Sequence, residues 1–200
     1  GDFGVDVVAT NGTRRIAVQV KRYGKTVSAD AMGEVLVGMP HYGCNECMVV
    51  TNSTFTRPAI EAAALHPCTL VDRRELARWL AQAGREFWDA GPVLAPVPSH
   101  WRRLVTRRYN QAAELVRALA RETGLAHRPD LLRRTRATPL LDGHGREARF
   151  AALADAIRPD PRAADWLAGR ALVLVDDVMT SGATLAAATE AAHAAGASRV

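Results

Sequence analysis

LVLVDDVMTSGAT, residues 172–184, is the stretch from which the rest of the chain can be read. Its four apolar residues, 172–175, have the length and branching of a short buried strand. Asp176 and Asp177 follow at the carboxyl end of that strand. The small, hydroxyl-rich loop Thr180-Ser181-Gly182-Ala183-Thr184 then opens an alanine-rich helical pattern that Gly196 stops. Open α/β sheets bind ligands at the carboxyl ends of their strands. Unpaired backbone N–H groups at a helix start attract phosphate, and Gly182 allows close backbone approach. Thr180, Ser181 and Thr184 add hydroxyl donors. The two carboxylates can accept hydrogen bonds from ribose hydroxyls or help to hold hydrated Mg²⁺. Together these parts describe a sugar-phosphate site; the plainer alternative is a strand–turn–helix joint whose acids only cap the helix.

This stretch resembles the phosphoribosyl-pyrophosphate (PRPP) loop of type I phosphoribosyltransferases. The resemblance implies that Asp176 and Asp177 contact the ribose and that Thr180, Ser181, Gly182, Ala183 and Thr184 hold the 5-phosphate. Upstream, residues 93–97 read as a strand, 110–123 as a helix capped by Asn110 and ended by Gly124, and 131–134 as a short strand. A helix is predicted over 146–154, and the final helix over 183–195. PVPSHWRRLVTRRYNQAAELVRALA, LLRRTRATPLLDGHGREARF and the PRPP-loop stretch, in that order, resemble the ComF family of phosphoribosyltransferase-like proteins across about residues 92–200. That family is associated with competence for DNA uptake. Its usual amino-terminal part, with zinc-ribbon-like cysteines, does not occur here.

The first eighty residues follow a different pattern. Residues 5–9 and RIAVQV, 15–20, are strand-like, and Asn11-Gly12 is a two-residue hairpin signal. A helix is predicted from residue 28 or 29 to 37 with Ser28 as N-cap. A strand follows at 48–51, a helix at 56–65 with Pro58 in its first turn, a strand at 69–71, and a helix from 73 to about 82 behind Asp72. Asp6 stands on the first hairpin strand. Gln19 and Lys21 are two apart on the second and so share a face. A carboxylate, a second oxygen ligand and a lysine suit metal-assisted phosphodiester hydrolysis, in which Mg²⁺ polarises the phosphate and the lysine stabilises developing charge. The plainer alternative is a hairpin with exposed polar residues.

GDFGVDVVAT, VQVKRYGKTVS, VVTNSTFTRPAIEAA and LVDRREL, in order, resemble the Mrr-like restriction endonuclease domain of the PD-(D/E)xK nuclease superfamily. The resemblance implies that Asp6 and Gln19 bind the metal and that Lys21 is the catalytic lysine. Gln19 stands where the superfamily more often has Glu. The family's usual helix before the first strand is not seen ahead of Gly1.

The expected organisation is therefore α/β throughout. A restriction endonuclease-like domain over 1–82, a junction over 83–91 and a ComF-like domain over 92–200 are predicted, the first with a truncated start and the second incomplete at both ends. The first sheet is expected to be mixed and the second mostly parallel with flanking helices.

Composition is that of ordinary globular protein, with 48% apolar residues and a net charge of +5. Between residues 92 and 149 twelve arginines face five carboxylates, and the balance reverses from residue 150 onward. Arg102, Arg103, Arg107 and Arg108 are nucleic-acid-binding candidates; a solvated helix face is the alternative. Three cysteines, Cys44, Cys47 and Cys68, with no signal peptide and no membrane-length apolar run, suggest a reducing cytoplasm. A single CxxC is weak evidence for a metal, and ordinary thiols are expected.

Functionally, the sequence points to a Mg²⁺-dependent DNA endonuclease-like unit followed by a PRPP-binding, phosphoribosyltransferase-like unit. The alternatives are a non-catalytic module that senses a nucleotide or phosphoribosyl ligand and binds DNA, or a truncated chain in which one half functions. The acceptor base, the DNA site and the oligomeric state are not encoded in any motif.

Overall fold

The structure, a computed structural model, describes residues 3–21, 25–98, 110–136, 146–176 and 181–200. Contacts divide the chain into two units, Gly1–Trp79 and Leu80–Val200.

The first unit is built on a four-stranded sheet: β1 (Val7–Asn11), β2 (Arg14–Lys21), β3 (Glu46–Thr51) and β4 (Cys68–Val71), adjacent in that order. β1 and β2 form an antiparallel hairpin, whereas β2, β3 and β4 run parallel, so the sheet is mixed as expected. Parallel neighbours need crossovers. Helix α1 (Asp30–Gly38), followed by a 3₁₀ turn over Met39–Tyr42, supplies the first, and α2 (Arg57–Ala63) the second. Helix α3 (Arg73–Ala83) follows β4.

Alternation along the strands sets which face is covered. Ala17 and Gln19 of β2 and Cys47, Val49 and Thr51 of β3 are buried. Ala31 and Val35 of α1 close over Ala17, Cys47 and Val49 with Val5 and Val27. Full burial of a valine is worth about 1.5–3 kcal/mol, so Val35 and Val49, both at 0% exposure, pin α1 to this face. At the other end of the sheet, Arg14 donates to both carboxylate oxygens of Glu46 at 2.7 and 2.6 Å, and Asn45 Oδ1 accepts from Arg15 N at 2.9 Å. The loops beyond β2 and β3 are joined by Val27 and Phe55: Val27 N donates to Thr54 O and Thr56 N to Val27 O.

Two local expectations are corrected. The hairpin loop is Gly12-Thr13, not Asn11-Gly12, because Asn11 stays in the ladder opposite Arg14. Gly12 takes the left-handed conformation, φ +60°, that the first loop position requires. Ser28 does not cap α1. Its hydroxyl donates to Asp30 Oδ2 at 2.9 Å, and the N-cap is Ala29, with no side-chain bond. The other two caps form as the residue types dictate. Thr56 Oγ1 accepts from Ala59 N, and Asp72 Oδ1 accepts from the amides of Arg74 and Glu75.

In the second unit, β5 (Val93–Pro96) and β8 (Leu172–Val175) pair in parallel. Single parallel bridges flank them, Leu94 with His127 and Ala171 with Arg199. A separate antiparallel pair joins β6 (Leu132–Arg134) to β7 (Ile157–Pro159). The expected mostly parallel sheet is not confirmed: among the described residues it amounts to the β5–β8 pair and its two bridges. The helices are α4 (Arg85–Trp88), α5 (Gln111–Thr123), α6 (Arg146–Leu153), α7 (Ala164–Leu167) and α8 (Ala183–Ala194). Asn110 Oδ1 caps α5 by accepting from Ala112 N and Ala113 N, and Gly124 ends it at φ +73°. Ala183, Ala187, Ala188, Ala191 and Ala192 of α8 are buried with Leu132, Ile157 and Leu172. Residues 83–91 include α4, whose Trp88 lies against Gly84 and donates Nε1 to Ala81 O at 2.7 Å.

Candidate active site

The carboxyl ends of β2 and β3 finish side by side, Lys21 opposite Thr51. Thr51 Oγ1 donates to Lys21 O at 2.7 Å and accepts from Ser53 N at 3.2 Å, which fixes both strand ends. Asp6 lies one residue before β1 rather than within it. Its amide donates to Val18 O at 2.9 Å, and its Oδ2 accepts from Val20 N at 2.7 Å. Bonds to alternate peptide groups of β2 hold the carboxylate beside that strand end.

Gln19 and Lys21 point to one face, as their spacing predicts, and meet the same partner. Gln19 Nε2 donates to Glu34 Oε2 at 2.7 Å, and Lys21 Nζ approaches that oxygen at 2.6 Å. Gln19 is 3% exposed, and the Glu34 side chain is about half exposed. The Lys21 hydrogen bond, and then the Gln19 amide, hold the Glu34 carboxyl below its ordinary range, so it stays ionised.

Sequence reasoning missed Glu34. The signal available was Gln19 itself: a neutral side chain at an acid position leaves room for a carboxylate from another element. The crossover after β2 must pass over one face of β2, and α1 does so on the Gln19 face. The segment before Asp6 is moulded to this helix. Gly4 has φ +74°, and a Cβ there would come within 2.9 Å of Glu34 Cβ; a Cβ on Gly38 would come within 2.1 Å of Phe3 O. Both glycines let residues 3–5 lie on α1, which brings Asp6 and Glu34 to the same end of β2.

Gln19 Oε1 is buried and accepts no hydrogen bond. An unsatisfied buried oxygen costs about 1–3 kcal/mol, so the position suits a donor or a cation. A carboxylate and an amide oxygen are hard ligands that fit Mg²⁺. No group of three His, Cys, Asp or Glu side chains suited to a metal occurs among the described residues.

In the second unit, Asp176 follows β8 and is half-buried. Gly182, φ +77°, precedes α8 as its N-cap, with no side-chain cap bond. Ser181 Oγ accepts from Ala183 N at 3.4 Å. Ala183 is buried in the core, and Thr184 is half-buried. Asp177 and Thr180 lie outside the described residues, as do Arg102, Arg103, Arg107 and Arg108. A largely apolar cavity of about 320 Å³ lies along β8, between Phe87 of α4 and Leu185 of α8; its lining includes neither Asp176 nor residues 181–184.

The cysteines are unbridged thiols. Cys47 and Cys68 face each other across β3 and β4. A hydrogen bond between them raises the Cys47 thiol, aided by burial, and lowers that of Cys68. No described helix is long and apolar enough to cross a membrane.

No curated protein matches the chain. One similar solved structure is a crystal structure of a protein of unknown function, AF1548, at 15% identity, covering 59% of this chain and 78% of that one. Its TM-score of 0.30 is too low to say anything about the fold. The informative match is to the restriction endonuclease family Mrr_cat, over residues 1–80. The first unit is thus similar to a restriction endonuclease domain over residues 1–80.

Proposed function

We propose that residues 1–80 form a Mg²⁺-dependent DNA endonuclease unit. The observation that carries this reading is the convergence of Asp6, Gln19 and Lys21 at one end of β2, within the region that matches the restriction endonuclease family. Asp6 and the Gln19 amide oxygen would hold Mg²⁺, which, when bound, polarises the scissile phosphate and activates water. Lys21, anchored through its backbone to Thr51 and through its ammonium to Glu34, would supply positive charge as negative charge develops on the phosphate under attack. The buried face beneath Gln19 keeps the amide from turning to solvent. Relaxation of supercoiled plasmid in Mg²⁺ tests the reading. The wild-type chain should nick, and Lys21→Ala should slow nicking by about 10²-fold or more; equal rates would refute the role of Lys21.

A second reading concerns the other unit. Asp176 at the end of β8 and Gly182 at the head of the twelve-residue helix α8 favour a sugar-phosphate ligand such as PRPP, with Asp176 and Asp177 on the ribose and Thr180 to Thr184 on the phosphate. Whether this ComF-like unit transfers a phosphoribosyl group or only senses a nucleotide is decided by the acceptor. Calorimetric titration of PRPP with Mg²⁺ into the chain, and into Asp176→Asn/Asp177→Asn, tests the binding itself. Heat that vanishes in the double variant supports it, and no heat in the wild type refutes it.

A further inference from the structure

We propose that Glu34, carried on α1, is the second anionic ligand of the divalent cation in the first unit, taking the place that the neutral Gln19 leaves open. This rests on the nuclease reading above and deepens it.

Three observations carry it. First, the Glu34 carboxylate is directed at the end of β2: one oxygen, Oε2, is taken by Gln19 Nε2 and Lys21 Nζ. Oε1 has no hydrogen-bond partner among those described, on a side chain about half exposed. Second, Gln19 is nine-tenths buried and more, and its amide is fixed toward Glu34 by that 2.7 Å bond, yet its own Oε1 accepts nothing. A buried amide oxygen that accepts nothing is a costly arrangement, and a cation bound by it would offset that cost. Third, the backbone is shaped to the pairing. Gly4, at φ +74°, leaves no room for a side chain against Glu34, and Asp6 follows two residues later with its carboxylate tied to Val20 N.

The charges agree with this assignment. Asp6 and Gln19 alone offer one negative charge, with Lys21 opposing it. With Glu34 the set becomes two carboxylates and one amide oxygen, all hard oxygen donors toward Mg²⁺ or Mn²⁺, with one ammonium beside them. In this structure Lys21 neutralises Glu34; with a cation held by that carboxylate, the ammonium would be available to the phosphate.

The test is Mn²⁺ binding, read by electron paramagnetic resonance of the free ion without any cleavage reaction. The full chain carries Asp176→Asn and Asp177→Asn, so that carboxylates of the second unit do not contribute. The parent should bind Mn²⁺, and Asp6→Asn and Glu34→Gln should each weaken binding at least about tenfold. Lys21→Met should leave it unchanged or tighter, since it removes a competing positive charge. If Asp6→Asn weakens binding and Glu34→Gln does not, Glu34 is no ligand, although the Asp6–Gln19 reading stands. If Lys21→Met weakens binding as much as Glu34→Gln, the ion pair rather than the carboxylate is responsible, and the proposal falls. A parent chain that binds no Mn²⁺ at millimolar concentration overturns both the ligand set and the metal reading beneath it.

Discussion

Lys21 Nζ and Glu34 Oε2 meet at 2.6 Å across the seam between β2 and α1. This ion pair ties the last residue of the strand to the helix that follows it. Because Gln19 donates to the same oxygen, the strand end and the helix share one hydrogen-bonded node.

The first prediction concerns protonation. The node holds the Glu34 carboxyl below its ordinary value of 4.5. A depressed carboxyl contributes stability that is present above its unfolded value and is lost as pH falls through its folded value. Lys21→Met removes the larger cause, so the Glu34 pKa should rise. Titration of the side-chain carboxyl carbon by NMR reads this directly, and an unchanged midpoint would show that the pair does not persist in solution. The effect on stability should be small, because an exposed carboxylate is well screened.

Backbone strain gives a second prediction. Gly4→Ala places a Cβ at a left-handed position and 2.9 Å from Glu34 Cβ. It should destabilise the first unit by about 1–3 kcal/mol, and Glu34→Ala should relieve none of it, because the Cβ and the backbone carbonyl that the new methyl meets remain. Thermal melts of the single and double variants check this. A Gly4→Ala chain as stable as the wild type would mean that residues 3–5 do not rest on α1.

Much of this architecture was legible in the residues. Short apolar, β-branched runs marked β2 and β3; Asp72 and Asn110 marked helix starts by their hydrogen-bonding chemistry; and Gly124 marked a stop. The spacing of Gln19 and Lys21 put them on one face before any coordinates. What was not legible came from tertiary placement. Ser28 has the chemistry of a cap but spends its hydroxyl on Asp30. Asn11-Gly12 has the composition of a hairpin loop, yet the register keeps Asn11 in the strand. Glu34 looks like any exposed helix residue until α1 is laid over Gln19.

Asn110 supplies a third prediction, for the second unit. Its Oδ1 accepts from two backbone amides of α5. Asn110→Ala should cost about 1 kcal/mol and Asn110→Asp much less, because Asp can accept the same bonds. Chemical denaturation checks this, and equal loss in both variants would argue against a capping role.

Thiol chemistry gives a fourth. Cys68 is half-buried, and its thiol is lowered by the hydrogen bond from Cys47, whereas Cys44 and Cys47 are 8% and 1% exposed. Reactivity follows thiolate fraction and access. Iodoacetamide should therefore modify Cys68 first, as read by peptide mass spectrometry. Prior labelling of Cys47 would contradict the pairing across β3 and β4.

The most direct test of the central claim is the single-turnover rate of plasmid nicking as a function of Mg²⁺ for the wild-type chain and for Asp6→Asn. The account predicts nicking that rises and saturates with Mg²⁺ and a loss of about 10²-fold or more without the Asp6 carboxylate. Nicking that is independent of Mg²⁺, or that survives intact in Asp6→Asn, would contradict it.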